Sequence, residues 1–149
     1  MFCTNDEAWA LGLCTLRDRN SFPTLMTLLE QATHLQQMAA GPDILDAVDR
    51  YYADDVTIVE GNGETFHGRE TQKGRVQDFM ASVREMHDGG VTALAVSETA
   101  PGTGVAFVET WSEMTFTEGG RMKIEEVAVQ RWEDGKVVHE RFYYNAPDA

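Results

Sequence analysis

The sequence predicts an α+β domain in which three helices pack on one face of a mainly antiparallel β-sheet. Apolar residues recur at helical spacing in three segments before His87. Everything after that reads as four long runs separated by Pro-Gly, Gly-Gly and Asp-Gly turns. At 149 residues the chain has the size of one domain, enough to bury roughly 70% of the surface its unfolded form exposes. Hydrophobic residues at 42% and charged residues at 25% are globular proportions and exclude a disordered chain.

Residues 1–23 show no clean periodicity and read as an N-terminal extension ahead of a single domain at 24–149. One expectation is that Met26 is the natural start; the alternative is a packed arm or an extra helix. From Leu25 onward, Leu28, Leu29, Ala32, Leu35 and Met38 or Ala39 follow helical spacing, and Gly41-Pro42 ends that run. Asp43 is placed to cap a second helix, with Ile44, Leu45, Val48 and Tyr51 or Tyr52 on one face, ending at Ala53-Asp54-Asp55. Val56 to Glu60 is short and β-branched, a strand that turns at Gly61-Asn62-Gly63 into Glu64 to His67. Gly68-Arg69-Glu70 opens a third helix expected to run to about His87, with Val76, Phe79, Met80, Val83 and Met86 at its spacing and Gly89-Gly90 as its stop. The strands then run from Val91 to Thr99, Val105 to Thr117, Met122 to Trp132 and Val137 to Tyr144. Their connections, Pro101-Gly102, Gly119-Gly120 and Asp134-Gly135, are hairpin turns.

A formal net charge of −13 repels phosphate backbones and anionic lipid, so neither nucleic acid nor a membrane surface is an expected partner. No apolar run approaches the roughly 18 residues of a membrane span. Asp6, Glu7, Arg17, Asp18 and Arg19 interrupt any signal-peptide pattern, so the expected address is the cytoplasm. Cys3 and Cys14 fit no metal or redox spacing and are read as free thiols. His34, His67, His87 and His139 are dispersed, and the acidic residues form no calcium loop, so no metal is expected. Gly61-Asn62-Gly63 is a turn, not a phosphate loop, and no cofactor is expected. Ser82, Ser97 and Ser112 lack the context of an activated nucleophile.

Two local patterns add a family. Tyr51-Tyr52-Ala53-Asp54-Asp55-Val56 is followed by Phe66-His67-Gly68-Arg69-Glu70, and Val129-Gln130-Arg131-Trp132-Glu133-Asp134-Gly135-Lys136-Val137-Val138 is followed by Glu140, Phe142 and Tyr144. Over about Thr24 to Tyr144 the chain resembles the nuclear transport factor 2-like superfamily, including SnoaL-like polyketide cyclases and ketosteroid isomerases. The resemblance implies a cone: a strongly curved sheet closed on one side by helices, around a pocket for a small apolar or amphipathic molecule. It does not select among isomerases, cyclases, dehydratases, epoxide hydrolases, enzyme subunits and proteins that only bind.

Residue by residue, the resemblance places Glu60 at the isomerases' catalytic aspartate, the base that moves a proton beside a ketone. It places His34 at the tyrosine that donates to the developing oxyanion. A desolvated carboxylate has its pKa raised toward working pH, and a His–Glu pair supplies an acid and a base with separable pKa values. The isomerases' second donor, a protonated aspartic acid, falls on Ala128. That departure makes steroid isomerase activity an unexpected outcome, although Glu126 and Gln130 share the parity of Ala128.

Strand alternation selects the inner face. Ala106, Val108, Thr110, Ser112, Met114 and Phe116 are small or apolar, whereas Val105, Phe107, Glu109, Trp111, Glu113 and Thr115 carry the charges. Met122, Ile124, Glu126, Ala128, Gln130 and Trp132 are the matching set on the next strand, and Glu140, Phe142 and Tyr144 on the last. The expected pocket is therefore lined by Tyr52, Phe66, Met114, Phe116, Glu126, Gln130, Trp132, Glu140, Phe142 and Tyr144 around Glu60 and His34. Val127 and Val129 indicate a second covered face, and the resemblance implies a homodimer across the sheet with Trp111 at the contact. The functional expectation is an acid–base isomerase, cyclase or dehydratase acting on a small, largely apolar carbonyl compound. The alternatives are a noncatalytic binding module for an apolar metabolite and a dimeric assembly domain.

Overall fold

The computed structural model describes residues 26–144. The extension at 1–23, both cysteines and Leu25 lie outside the described residues. The order is α1 (Leu28–Ala39), α2 (Ile44–Tyr51), β1 (Tyr52–Val59), β2 (Thr65–His67), α3 (Arg69–Ser82), β3 (Val83–Ala100), β4 (Thr103–Phe116), β5 (Arg121–Glu133) and β6 (Lys136–Tyr144). The six strands form one sheet in the order β2-β1-β6-β5-β4-β3, and every pairing is antiparallel except β1 with β6. Four register shifts in the long edge strand β3 bend the sheet, since each unpaired residue tightens the local twist.

α1 begins where a capping box satisfies its first amides: the Glu30 amide donates to Thr27 Oγ1 at 3.2 Å, and the Thr27 amide donates to Glu30 Oε2 at 2.7 Å. Leu28, Ala32 and Leu35 bury the inner stripe, but Leu29, expected on it, is 48% exposed. Asp43 occupies the cap position of α2 without a side-chain bond, and Ala47, Val48 and Tyr51 face the core. These residues close one end of the sheet against Val56, Ile58, Ala106, Trp132 and Val137.

The third helix is shorter than expected. It stops at Ser82, and Val83 to Met86 and Gly89-Gly90 belong to β3. Val76, Phe79, Met80, Val83 and Met86 satisfy helical spacing, yet Val83 pairs with Phe116 and Met86 with Met114, so the edge of the sheet wins over local periodicity. Gly89 fits there because an added Cβ would sit 3.1 Å from the Trp111 carbonyl oxygen. The last hairpin turns through Asp134 (φ 47°) and Gly135 (φ 78°), the left-handed pair of a type I′ turn. Its Gly135 amide donates to the Gly102 carbonyl at 2.9 Å, tying two turns together beneath α1. No helix among the described residues is long and apolar enough to cross a membrane.

Candidate functional site

Antiparallel partners share a face, so the register arranges the concave side in rows. The innermost is Val96, Ala106, Gln130 and Glu140, with Ile58 beside Glu140; the next is Leu94, Val108, Ala128 and Phe142; the third is Val91, Thr110, Glu126 and Tyr144. Ala106, Val108, Ala128, Gln130 and Glu140 are buried while Phe107 and Tyr143 on the convex side are exposed, which confirms the inner parity read from the strands. Trp111, also convex, is half-buried beneath Lys123, whose ammonium lies 5.2 Å from its ring.

The floor is a closed polar network. Glu140, 2% exposed, accepts from Tyr52 Oη at Oε2 and from Gln130 Nε2 at Oε1, each at 2.7 Å. Trp132 Nε1 donates to Gln130 Oε1 at 3.3 Å, so each amide group of that glutamine has a partner. Burial pushes the Glu140 carboxyl up, against the two hydrogen bonds that favour its anion. Burial, followed by the Glu140 charge, also pushes the Tyr52 phenol up.

Two rows further out, Glu126 sits at the edge of the covered region. Burial first, then the charges of Glu140 and Glu60, raise its carboxyl from 4.5 to about 7, opposed by a hydrogen bond from Thr110. Opposite it stands Glu60, just past the end of β1. Its Oε1 is paired with the Arg75 guanidinium, and its Oε2 accepts from Tyr144 Oη at 3.1 Å. Arg75 projects from α3 with its guanidinium carbon 3.9 Å from the Phe66 ring centre and Nη1 donating to Gln72 Oε1 at 2.7 Å. Desolvation and the Glu60 carboxylate raise the Tyr144 phenol, keeping it a donor. Its ring crosses the turn at Gly61, where an added Cβ would lie 3.0 Å from it.

The expected pocket residues therefore gather on the concave side, with Phe66 and Phe142 packed against the core and Phe116 edge-on to Phe79 at 6.1 Å. His34 and Glu60 are not brought together: among the described residues each has separate partners. His34 Nδ1 lies 2.6 Å from Tyr51 Oη, and the Tyr51 ring meets Trp132 edge-on at 5.7 Å. Tyr51 thus stands between the histidine and Trp132, the outer member of the floor network. Arg75 is the site residue that sequence reasoning missed. Its signal was present, because Gln72, Arg75, Val76 and Phe79 follow helical spacing along one face. No group of three or more His, Cys, Asp or Glu among the described residues is arranged to hold a metal ion.

Three helices over a curved six-stranded sheet, among the described residues, make the cone of the nuclear transport factor 2-like fold. Residues 26–144 match the family model described as SnoaL-like domain, and the chain belongs to that family. A Mesorhizobium loti protein described as a SnoaL-like polyketide cyclase superposes with a TM-score of 0.61 at 24% identity, covering 80% of this chain and 100% of its own. A Pseudomonas putida protein described as a polyketide cyclase gives 0.66 at 17%, covering 80% and 92%. A Catenulispora acidiphila protein with a ketosteroid isomerase-like fold, solved in complex with trimethylamine, gives 0.64 at 17%, covering 80% and 88%. At these identities the likeness establishes the fold. No curated protein matches the sequence.

Proposed function

We propose that the protein catalyses proton transfer beside the carbonyl of a small, largely apolar compound, in an isomerisation, cyclisation or dehydration, with Glu126 rather than Glu60 as the base. One observation carries this: Glu126 is held near neutrality on the open part of the concave face, where a base matched to working pH is most effective. Glu60 is the weaker candidate because both of its oxygens are engaged. His34 is directed to Tyr51 instead of the concave face.

In this reading the Glu126 carboxylate takes a proton from the carbon next to the carbonyl, and the C–H electron pair moves into an enolate. Tyr144 is the cross-strand neighbour of Glu126, and its one O–H, held by Glu60 in the resting site, turns from that carboxylate to the developing oxyanion. Arg75 has N–H groups left over from its bonds to Glu60 and Gln72 for the same oxygen. The protonated Glu126 then returns its proton to another carbon or to a departing hydroxyl. The Glu140, Tyr52 and Gln130 network holds the floor rigid. Self-association across the convex face, where Phe107 and Tyr143 are exposed, belongs to the same proposal and is read by sedimentation velocity.

Ala128 favours a second reading, a noncatalytic binding module, because a methyl stands where the isomerases carry their second donor. Exchange of the protons beside the carbonyl of cyclohexanone for deuterium, followed by NMR, separates the two. Under the catalytic reading Glu126→Gln slows protein-dependent exchange by about 10² to 10⁴-fold and Glu60→Gln slows it less. Exchange that is equal in wild type and Glu126→Gln refutes the assignment of the base, and binding without any exchange supports the module.

A further inference from the structure

Asn62 and Gly63 form the exposed tip of the turn that joins β1 to β2, just after Glu60. The sequence holds four asparagines, and Asn62 alone precedes a glycine. Gly63 has φ 90°, a conformation that favours glycine, and a Cβ built there would meet nothing within 4 Å. No side chain therefore stands between the Gly63 nitrogen and the Asn62 carboxamide. Four hydrogen bonds hold the tip. The Gly63 amide donates to the Glu60 carbonyl and the Glu60 amide to the Glu64 carbonyl, each at 2.9 Å. The Glu64 amide donates to Asn62 Oδ1 at 2.9 Å, and Asn62 Nδ2 donates to Glu64 Oε2 at 3.0 Å.

Two of these bonds bear on the reactivity of the carboxamide. The Glu64 N–H polarises the Asn62 side-chain carbonyl and is placed to meet the negative charge that forms on Oδ1 when a nucleophile adds to Cγ. The nucleophile within reach is the Gly63 backbone nitrogen. It is restrained by one bond, to the Glu60 carbonyl, at a water-exposed tip where such bonds open locally.

We propose that Asn62 is a site of spontaneous covalent modification, deamidation to isoaspartate and aspartate, and that the modification loosens Glu60. The Gly63 nitrogen loses its proton to hydroxide and its electron pair forms a bond to Asn62 Cγ. The bond from Cγ to Nδ2 then breaks, and that nitrogen takes a proton from water and leaves as ammonia. A second water opens the resulting succinimide at either carbonyl, giving aspartate or isoaspartate. The chemistry uses the turn and solvent alone, so it stands independently of the acid–base reading of the concave face. Each stage acts on Glu60. The ring consumes the Gly63 N–H, so its bond to the Glu60 carbonyl is lost as the ring closes. Isoaspartate routes the backbone through the side-chain carbon and lengthens the turn. Aspartate puts a carboxylate where Asn62 Nδ2 donated to Glu64, and two like charges at that distance repel. The side chain of Glu60 is held by Arg75 and by Tyr144, whose ring crosses Gly61 in the same turn, so movement of the turn strains that grip.

The test is incubation of the intact folded chain at pH 8 over days, followed by peptide mapping in which chromatography separates aspartyl from isoaspartyl forms. The wild-type turn peptide gains the mass of one amide-to-acid exchange, with isoaspartate the larger share, at a rate that rises in proportion to hydroxide. Unfolding in urea speeds the reaction by no more than about tenfold, the worth of the one hydrogen bond that restrains Gly63. A turn peptide that keeps its mass in the folded chain while it changes in urea overturns the proposal, because the turn then protects Asn62. The charged product, separated by anion exchange, unfolds at lower urea than its parent. In Glu60→Gln, where the carboxylate held by Arg75 is already gone, the same modification lowers the midpoint less. An equal loss in both backgrounds, or none in wild type, overturns the link to Glu60.

Discussion

Replacing Glu126 with glutamine tests the electrostatics of the site without needing a substrate. The native carboxyl holds its proton up to about pH 7, whereas the unfolded chain releases it near 4.5. The native state therefore carries the extra proton between those values. Its stabilising contribution is complete below about 4.5, falls as pH rises to about 7, and is flat beyond. The span from 4.5 to about 7 corresponds to about 3 kcal/mol at 1.36 kcal/mol per tenfold step. Glutamine has no proton to lose. The stability of Glu126→Gln minus that of wild type should thus climb by about 3 kcal/mol between pH 4.5 and 8. Glu140 is raised in the same direction, but it is present in both proteins and largely cancels in the difference. Urea unfolding followed through the fluorescence of buried Trp132 measures both curves. Wild-type and variant curves that stay parallel across that range, within about 0.5 kcal/mol, would refute the reasoning.

Two further predictions concern what holds the site. Tyr52→Phe removes one of two donors to the buried Glu140 carboxyl and should cost about 1 to 3 kcal/mol in urea unfolding, more than a surface Tyr→Phe change. Gly104→Ala should abolish soluble folded protein or lower stability by more than about 4 kcal/mol, because the new Cβ would lie 2.1 Å from the Ser97 carbonyl oxygen, in backbone that cannot swing aside; circular dichroism and solubility report it.

The strands were legible because three strong turn signals punctuate them and because parity separates small residues from charged ones. Ala106 and Val108 are buried and Phe107 is exposed, as alternation required. The point where α3 becomes β3 was not legible. Val76, Phe79, Met80, Val83 and Met86 obey the helical period, and only pairing of Val83 and Met86 with β4, a contact across the chain, converts the last two into strand. The bulges of β3 also spoil the alternation that would have signalled it.

Within the site, the residue types were readable and their partners were not. Tyr52 and Glu140 lie 88 positions apart, and the bond between them follows from the parallel pairing of β1 with β6. Arg75 acquires its meaning only when α3 folds over β1 and meets Glu60. His34 sits on the expected helix, but Tyr51 intercepts it before it reaches the concave face. Glu126 shared parity with Ala128 in the sequence. Its raised pKa, however, depends first on burial and then on the charges of Glu140 and Glu60, which β6 and the end of β1 bring to it from distant parts of the chain.

The most direct test of the central claim is the pH dependence of cyclohexanone deuterium exchange catalysed by the wild-type chain. A base with the environment of Glu126 predicts a rate that rises with pH, reaches half its plateau near 7, and loses this inflection in Glu126→Gln. A midpoint in the ordinary carboxylate range near 4.5, or an inflection near 7 that persists in the variant, would contradict it.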